Sequence, residues 1–372
     1  MSNLKPKCNE EFSLHGKVKF SLDGEGSLYD YMSYQYNYFA LRNQEISEGI
    51  DSVLLRFTQN NYLGEDLILK NGNESYSVDN QDERFIWAVG NKKMTLDGRQ
   101  SLAEQCIVTF DPDFNKMQAN LICDLLWRMR FISHRIVLVH AACISKGGKA
   151  ILMPAWKGMG KTVACLKLVK SGYDFLADDR CWLSATNEVF AYPRYVVIKD
   201  TNAHFFPEVT SFVTKMKYSI YHFSSKVKFI KRLRVFQKLK HIFIPAKYFY
   251  INDLYQDAET VSTAKLTNVL SISKRQHLRE IRMEQAEQKQ IAMAIYNIGN
   301  VEWNNPLLSI AAAHDLLFPN GPNWTDEILS LMAKEKIIIH TAIRDVSCQV
   351  LTSPSDEKLA NWDDLPSKIV DL

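Results

Sequence analysis

No stretch of this sequence stays apolar for the roughly 20 residues that a membrane-crossing helix needs, so no bilayer-spanning segment is expected. The first residues, Met1-Ser2-Asn3-Leu4-Lys5, lack the apolar core of a secretory signal. Cysteine is sparse and odd in number, seven in all, and no two lie at the spacing of a zinc or iron–sulfur site. That usage suits a reducing cytoplasm, where cysteine serves as a small apolar residue. There is no internal repeat and no low-complexity segment. A net charge of +3 is too small to make the whole chain a nucleic-acid binder.

What is present is a soluble, globular balance: 46% apolar and 23% charged residues over 372 positions, more than one ordinary core accommodates. Residues 1–112 read as a β-rich N-terminal domain of unknown role. Its apolar runs, Ser52 to Phe57 and Arg84 to Val89, lie near turn clusters such as Lys70-Asn71-Gly72-Asn73. An amphipathic helix is expected between Asp113 and Ser133. An apolar strand from Ile136 to Ile144 should then turn at Gly147-Gly148 into a second strand, Ala150 to Pro154, as a hairpin. Val163 to Lys170 reads as a helix with Gly172 at its C-cap, followed by a short strand, Tyr173 to Ala177. Near the end, a helix at Ile328 to Lys334 and a strand at Lys336 to Thr341 are expected to close the domain. The fold class is therefore α/β, with a second domain over 113–352 and a C-terminal tail at 353–372.

The most informative stretch is Ala155-Trp156-Lys157-Gly158-Met159-Gly160-Lys161-Thr162, a relaxed Walker A pattern with alanine at its first position. Gly158 and Gly160 let the backbone turn so that successive N–H groups face phosphate oxygens. Lys161 supplies a point charge for the β- and γ-phosphates, and the Thr162 hydroxyl suits Mg²⁺. The helix that opens here adds its positive end to the same anion. Trp156 and Lys157 are not demanded by the pattern, and Trp156 reads as a packing residue rather than a base-stacking one. The preceding strand and the following helix are the context that phosphate binding requires. The bland alternative is a glycine-rich turn with a surface lysine.

Asp178-Asp179 begins 17 positions after Lys161, at the end of the next strand. Strand ends carry the site in α/β sheets, so this pair should face the phosphates. One carboxylate suits Mg²⁺, and the other can accept a proton from an attacking hydroxyl. His140 sits within an apolar strand, where a lone histidine is usually a satisfied core residue.

His140-Ala141-Ala142, the Gly147-Gly148 turn, Ala155 to Thr162, Gly172 and Asp178-Asp179 stand in the order and spacing of HPr kinase/phosphorylase-like proteins. The chain resembles the broad group of HPr-kinase-related serine kinases over roughly His140 to Lys199. That group has a P-loop core similar to phosphoenolpyruvate carboxykinase. The resemblance implies an ATP- and Mg²⁺-dependent kinase that phosphorylates a serine of a peptide or protein. Asp179 would be the base, His140 a catalytic partner, Lys161 the phosphate ligand, and Thr162 and Asp178 the metal ligands. Three departures are visible. Ala155 and Thr162 stand where the family usually has Gly and Ser. Tyr192-Pro193-Arg194 lacks the glutamate found beside the family's arginine, leaving Arg194 as a phosphate clamp. Residues 1–112 do not match the regulatory domain of true HPr kinases.

Between Glu208 and Asp253 no residue is acidic, whereas ten are Lys or Arg, from Lys215 to Lys247, with Tyr218, Tyr221, Phe223, Phe229, Phe236 and Tyr248 among them. This segment, about 209–252, reads as a basic insert or lid that docks an acidic peptide or protein. RNA binding on the same composition is the alternative, as is a solvated helix face. Two other functions use the same loop: an NTP-binding regulatory or RNA-binding module without transfer chemistry, and phosphorolysis of a phosphoserine. Self-association into an oligomer is compatible with this sequence.

Overall fold

The computed structural model describes residues 10–41, 52–59, 69–79, 83–198, 202–206, 247–355 and 360–369. Two compact units emerge. One comprises Met1–His140, Trp182–Phe190 and Ala286–Cys348; the other comprises Ala141–Cys181, Ala191–Gln285 and Gln349–Leu372. The boundary expected near residue 112 falls inside the first unit, and the chain passes between the units several times.

The first unit is built on an eight-stranded mixed sheet. Its spatial order is Glu10–Leu14, Val18–Gly24, Ser52–Phe57, Cys106–Phe110, Lys92–Asp97, Arg84–Val89, Glu74–Asp79 and Leu69–Asn71. Val18–Gly24, Ser52–Phe57 and Cys106–Phe110 run parallel to one another, and the other pairings are antiparallel. Alternation sets the buried face: Val18, Phe20 and Leu22 are buried while Lys19 and Ser21 are only partly so. Helix Lys116–Phe131 lies within the span expected to be helical, and Asn115 caps it by accepting from the Met117 and Gln118 amides. Met117, in its first turn, is exposed despite being apolar.

The helix and strand expected between Ile328 and Thr341 form one continuous helix, Trp324–Ala342. A β-branched run, Ile337-Ile338-Ile339, suggested extended chain. Yet Ile328, Leu331, Glu335, Ile338, Ile339 and Ala342 are buried at helical spacing, and that face outweighs the intrinsic preference.

In the second unit, Ala141–Lys146 and Lys149–Pro154 form the expected hairpin. Gly147 and Gly148 have φ values of 56° and 76°, the two positive angles that a two-residue type I′ turn requires. The strand expected from Ile136 to Ile144 is broken at His140, giving Ile136–Val139 in the first unit and Ala141–Lys146 in the second. Asp174–Ala177 pairs antiparallel with Ala141–Lys146, and Thr263–Arg275 pairs parallel with Lys149–Pro154. Arg282–Gln285 then pairs antiparallel with residues 349–352.

Helix Lys161–Lys170 buries Val163, Ala164, Leu166 and Leu168 against Ile144, Ile151, Met153, Phe175 and Ile272. It ends as its sequence suggests: the Gly172 amide donates to Val169 O at 3.0 Å and the Tyr173 amide to Leu168 O at 3.2 Å, a Schellman closure. Within the presumed C-terminal tail, Ala360, Trp362, Leu365 and Ile369 belong to this same core. The basic segment from Lys215 to Lys240 lies outside the described residues. Lys247 opens a short strand, Lys247–Phe249, paired antiparallel with Val196–Ile198. Among the described residues, no helix is long and apolar enough to cross a membrane.

Candidate functional site

Strand direction brings the site together. Lys149–Pro154 and Asp174–Ala177 flank Ala141–Lys146, each antiparallel to it, so both run the same way and end on the same edge. Ala177 and Leu152 both stand opposite Cys143. The loop after the first strand and the aspartates after the second therefore emerge side by side.

Ala155 continues its strand through a parallel bridge to Ile272, is buried, and does not adopt a positive φ. The first loop position thus needs no glycine, which accounts for the alanine there. Gly158 and Gly160 do take positive φ, 83° and 107°. The Met159 amide closes the turn onto Trp156 O at 3.2 Å, and the Ala164 amide donates to Gly160 O at 2.9 Å as the helix begins. No side chain caps this helix. Its leading amides are the donors that an anion would satisfy.

Lys161 is buried, and its Nζ donates to Asp179 Oδ1 at 3.0 Å and to the Asp179 carbonyl at 3.2 Å. The Thr162 hydroxyl donates to Asp178 Oδ2 at 3.1 Å, and Asp178 is itself buried. Arg180 Nε stands 3.4 Å from Asp179 Oδ2. Loop lysine, loop hydroxyl and both carboxylates are thus one polar cluster. Among the described residues, no three His, Cys, Asp or Glu side chains gather to hold a metal by themselves. A hydroxyl beside one carboxylate fits Mg²⁺, which takes few protein ligands and completes its shell with phosphate and water.

Arg194 lies close along the chain's path. The Tyr192 amide donates to Leu176 O at 3.2 Å, setting this turn beside the strand that delivers Asp178. The Arg194 guanidinium stacks over the Tyr192 ring at 4.2 Å and donates to its hydroxyl at 2.5 Å. His140 groups with the first unit. Its imidazole is buried and meets the ring of Trp303 at 6.1 Å in an edge contact. Trp303 belongs to a π-helical turn, Asn300–Asn304.

Trp156 differs from expectation: its side chain is 44% exposed rather than packed, because the chain leaves the sheet at Ala155. Lys157 is exposed beside it. Behind the loop, Cys143 and Cys165 are fully buried, and burial pushes both thiols well above their usual range. Cys165 Sγ donates to Ala177 O at 3.7 Å. These are packing residues, as their scatter implied.

Three participants escaped the sequence reading. Arg180 was hidden by lying next to the more conspicuous aspartates. Trp362 and Asp363 are remote in sequence: the indole packs on Gly160, and Asp363 Oδ1 pairs with Lys167 Nζ at 2.6 Å on the loop helix. Compared with known proteins, the chain matches no family model and no curated relative.

Proposed function

We propose that this chain is an ATP-dependent kinase, of the HPr-kinase-like type, that transfers the γ-phosphate to a hydroxyl, most simply a serine of a peptide or protein. The observation that carries the reading is the convergence of Lys161 and Thr162 with Asp179 and Asp178 at 3.0 and 3.1 Å. A phosphate loop alone only binds; with carboxylates at this distance it holds the parts of a transfer site.

ATP is the substrate. The loop amides and Lys161 bind its β- and γ-phosphates, and Thr162 and Asp178 are the oxygen ligands offered to Mg²⁺. Bound there, Mg²⁺ would neutralise phosphate charge as it shifts toward the leaving group. Asp179 accepts the acceptor's proton. The acceptor oxygen forms a bond to the γ-phosphorus as the bond to the bridging oxygen breaks, and ADP departs. The transition state is loose, so positioning and charge carry most of the rate. His140 is assigned a supporting role, Arg194 a phosphate-clamp role, and a cytoplasmic setting accords with the buried free cysteines.

Incubation with γ-labelled ATP and candidate peptides tests this, read as label transfer and an intact-mass gain of one phosphate. Transfer by Asp179→Asn at the wild-type rate would overturn the assignment of the base.

A further inference from the structure

The ion pairs around Asp179 are asymmetric. Its side chain is 51% exposed, whereas the two cations it bridges, Lys161 and Arg180, are 9% and 17% exposed. Each carboxylate oxygen faces one cation: Oδ1 meets Lys161 Nζ at 3.0 Å, and Oδ2 meets Arg180 Nε at 3.4 Å. Lys161 is also tied to the Asp179 carbonyl at 3.2 Å.

Largely desolvated cations need a counter-anion, whereas an exposed carboxylate can return to water at small cost. The cations are the fixed part of this arrangement and the carboxylate is the movable part. We infer that Lys161 and Arg180 together form an anion subsite for the terminal phosphate of the nucleotide, and that the Asp179 carboxylate fills it until the nucleotide arrives. This rests on the nucleotide-binding reading above and adds two things to it.

First, Arg180 becomes a phosphate-binding residue. A guanidinium presents donors in a planar fork that matches phosphate oxygens, which the Lys161 ammonium does not. Second, phosphate entry and release of the base become one event. A terminal phosphate oxyanion takes over both cations and displaces the Asp179 carboxylate, which is then available to an acceptor hydroxyl. The carbonyl contact keeps Lys161 in place during the exchange. Before that exchange, the base is held by two cations and is poorly placed to accept a proton. Nucleotide binding before the acceptor follows as the productive order.

The test is calorimetric binding of ADP and of adenylyl imidodiphosphate to the full chain. Asp179→Asn removes the competing charge and should tighten the imido analogue about tenfold, the scale of one charge-assisted hydrogen bond. Arg180→Gln should weaken the imido analogue about tenfold and ADP by less than about twofold, because ADP lacks the terminal phosphate. Arg180→Lys, which keeps charge and loses the fork, should fall between, and it stands in for Arg180→Gln should the latter not fold. Weaker analogue binding by Asp179→Asn, or an unchanged ratio of analogue to ADP affinity in both Arg180 variants, would overturn the inference. In that case wild-type label transfer would leave the kinase reading standing. Wild-type protein that binds neither nucleotide would overturn both.

Discussion

Gly160, in the loop from Ala155 to Thr162, lies directly against the indole of Trp362: a Cβ built at position 160 would stand 2.6 Å from Trp362 Cζ2. With φ at 107°, the same residue also occupies backbone space that side chains disfavour. A segment near the C-terminus thus forms one wall of the loop, and Asp363 pairs with Lys167 about two turns along the helix.

Gly160→Ala should therefore lose stability by two separable routes. The left-handed backbone costs about 1–2 kcal/mol for an L-residue. The clash with the indole adds about 1–3 kcal/mol. Trp362→Leu in the same chain should relieve the second contribution and leave the first. The measurement is a double-mutant cycle in urea, where the expected sign is a double mutant more stable than the sum of the singles. Additive losses would mean the indole does not constrain the loop.

A second prediction concerns the first unit, where Arg128 and Glu335 form a bidentate pair at 2.7 and 2.8 Å, with side chains 1% and 5% exposed. Asn304 accepts from the same guanidinium at 2.6 Å, and Trp303 stacks beside it at 5.6 Å. Arg128→Ala leaves a carboxylate buried without its cation and should cost about 3–5 kcal/mol. Arg128→Met with Glu335→Leu removes both charges and should recover most of that loss. Denaturation midpoints of the two variants decide it. Trp303 also meets the buried imidazole of His140, at 6.1 Å.

The loop, its helix and the aspartate pair were legible in the sequence because they are consecutive: a strand, a glycine turn, a helix and a second strand within some thirty positions. The Schellman closure was legible from Gly172 alone. Trp362 was not, since nothing local in Asn361-Trp362-Asp363 signals a partner some two hundred positions earlier. The split at His140 was hidden by apolar residues on both sides, as two short buried strands and one long one have the same composition. Ile337 to Ile339 misled because β-branching is a local preference, whereas the buried stripe from Ile328 to Ala342 is a tertiary one.

Acid should weaken the anchoring of helix Trp324–Ala342. Burial alone would raise the Asp315 carboxyl, but hydrogen bonds from Thr325, His314 and Trp324 outweigh it and hold it below its ordinary value of 3.8. The amides of Trp324 and Thr325 donate at 2.9 and 3.0 Å, and His314 Nδ1 lies at 2.9 Å. A carboxyl lowered in the folded state contributes stability that is complete above its unfolded value. That stability is lost as pH falls through the folded one. Unfolding free energy should therefore decline from about pH 4 downward, and Asp315→Asn should flatten that part of the curve. An identical acid slope in the variant would remove Asp315 from the account.

The metal assignment makes the last prediction. Thr162 donates to Asp178 Oδ2 at 3.1 Å, so each residue orients the other as well as offering an oxygen. Thr162→Ala should raise the Mg²⁺ concentration needed for half-maximal label transfer by about tenfold or more, with much of the rate restored at saturating metal. Asp178→Asn should do the same and lose more, because it also removes a negative charge. If both residues serve one ion, the double variant should need little more Mg²⁺ than Asp178→Asn alone, since residues acting as a unit are non-additive. Independent, multiplying effects would place the hydroxyl and the carboxylate in different roles. Asp178 would then orient the loop rather than hold the metal.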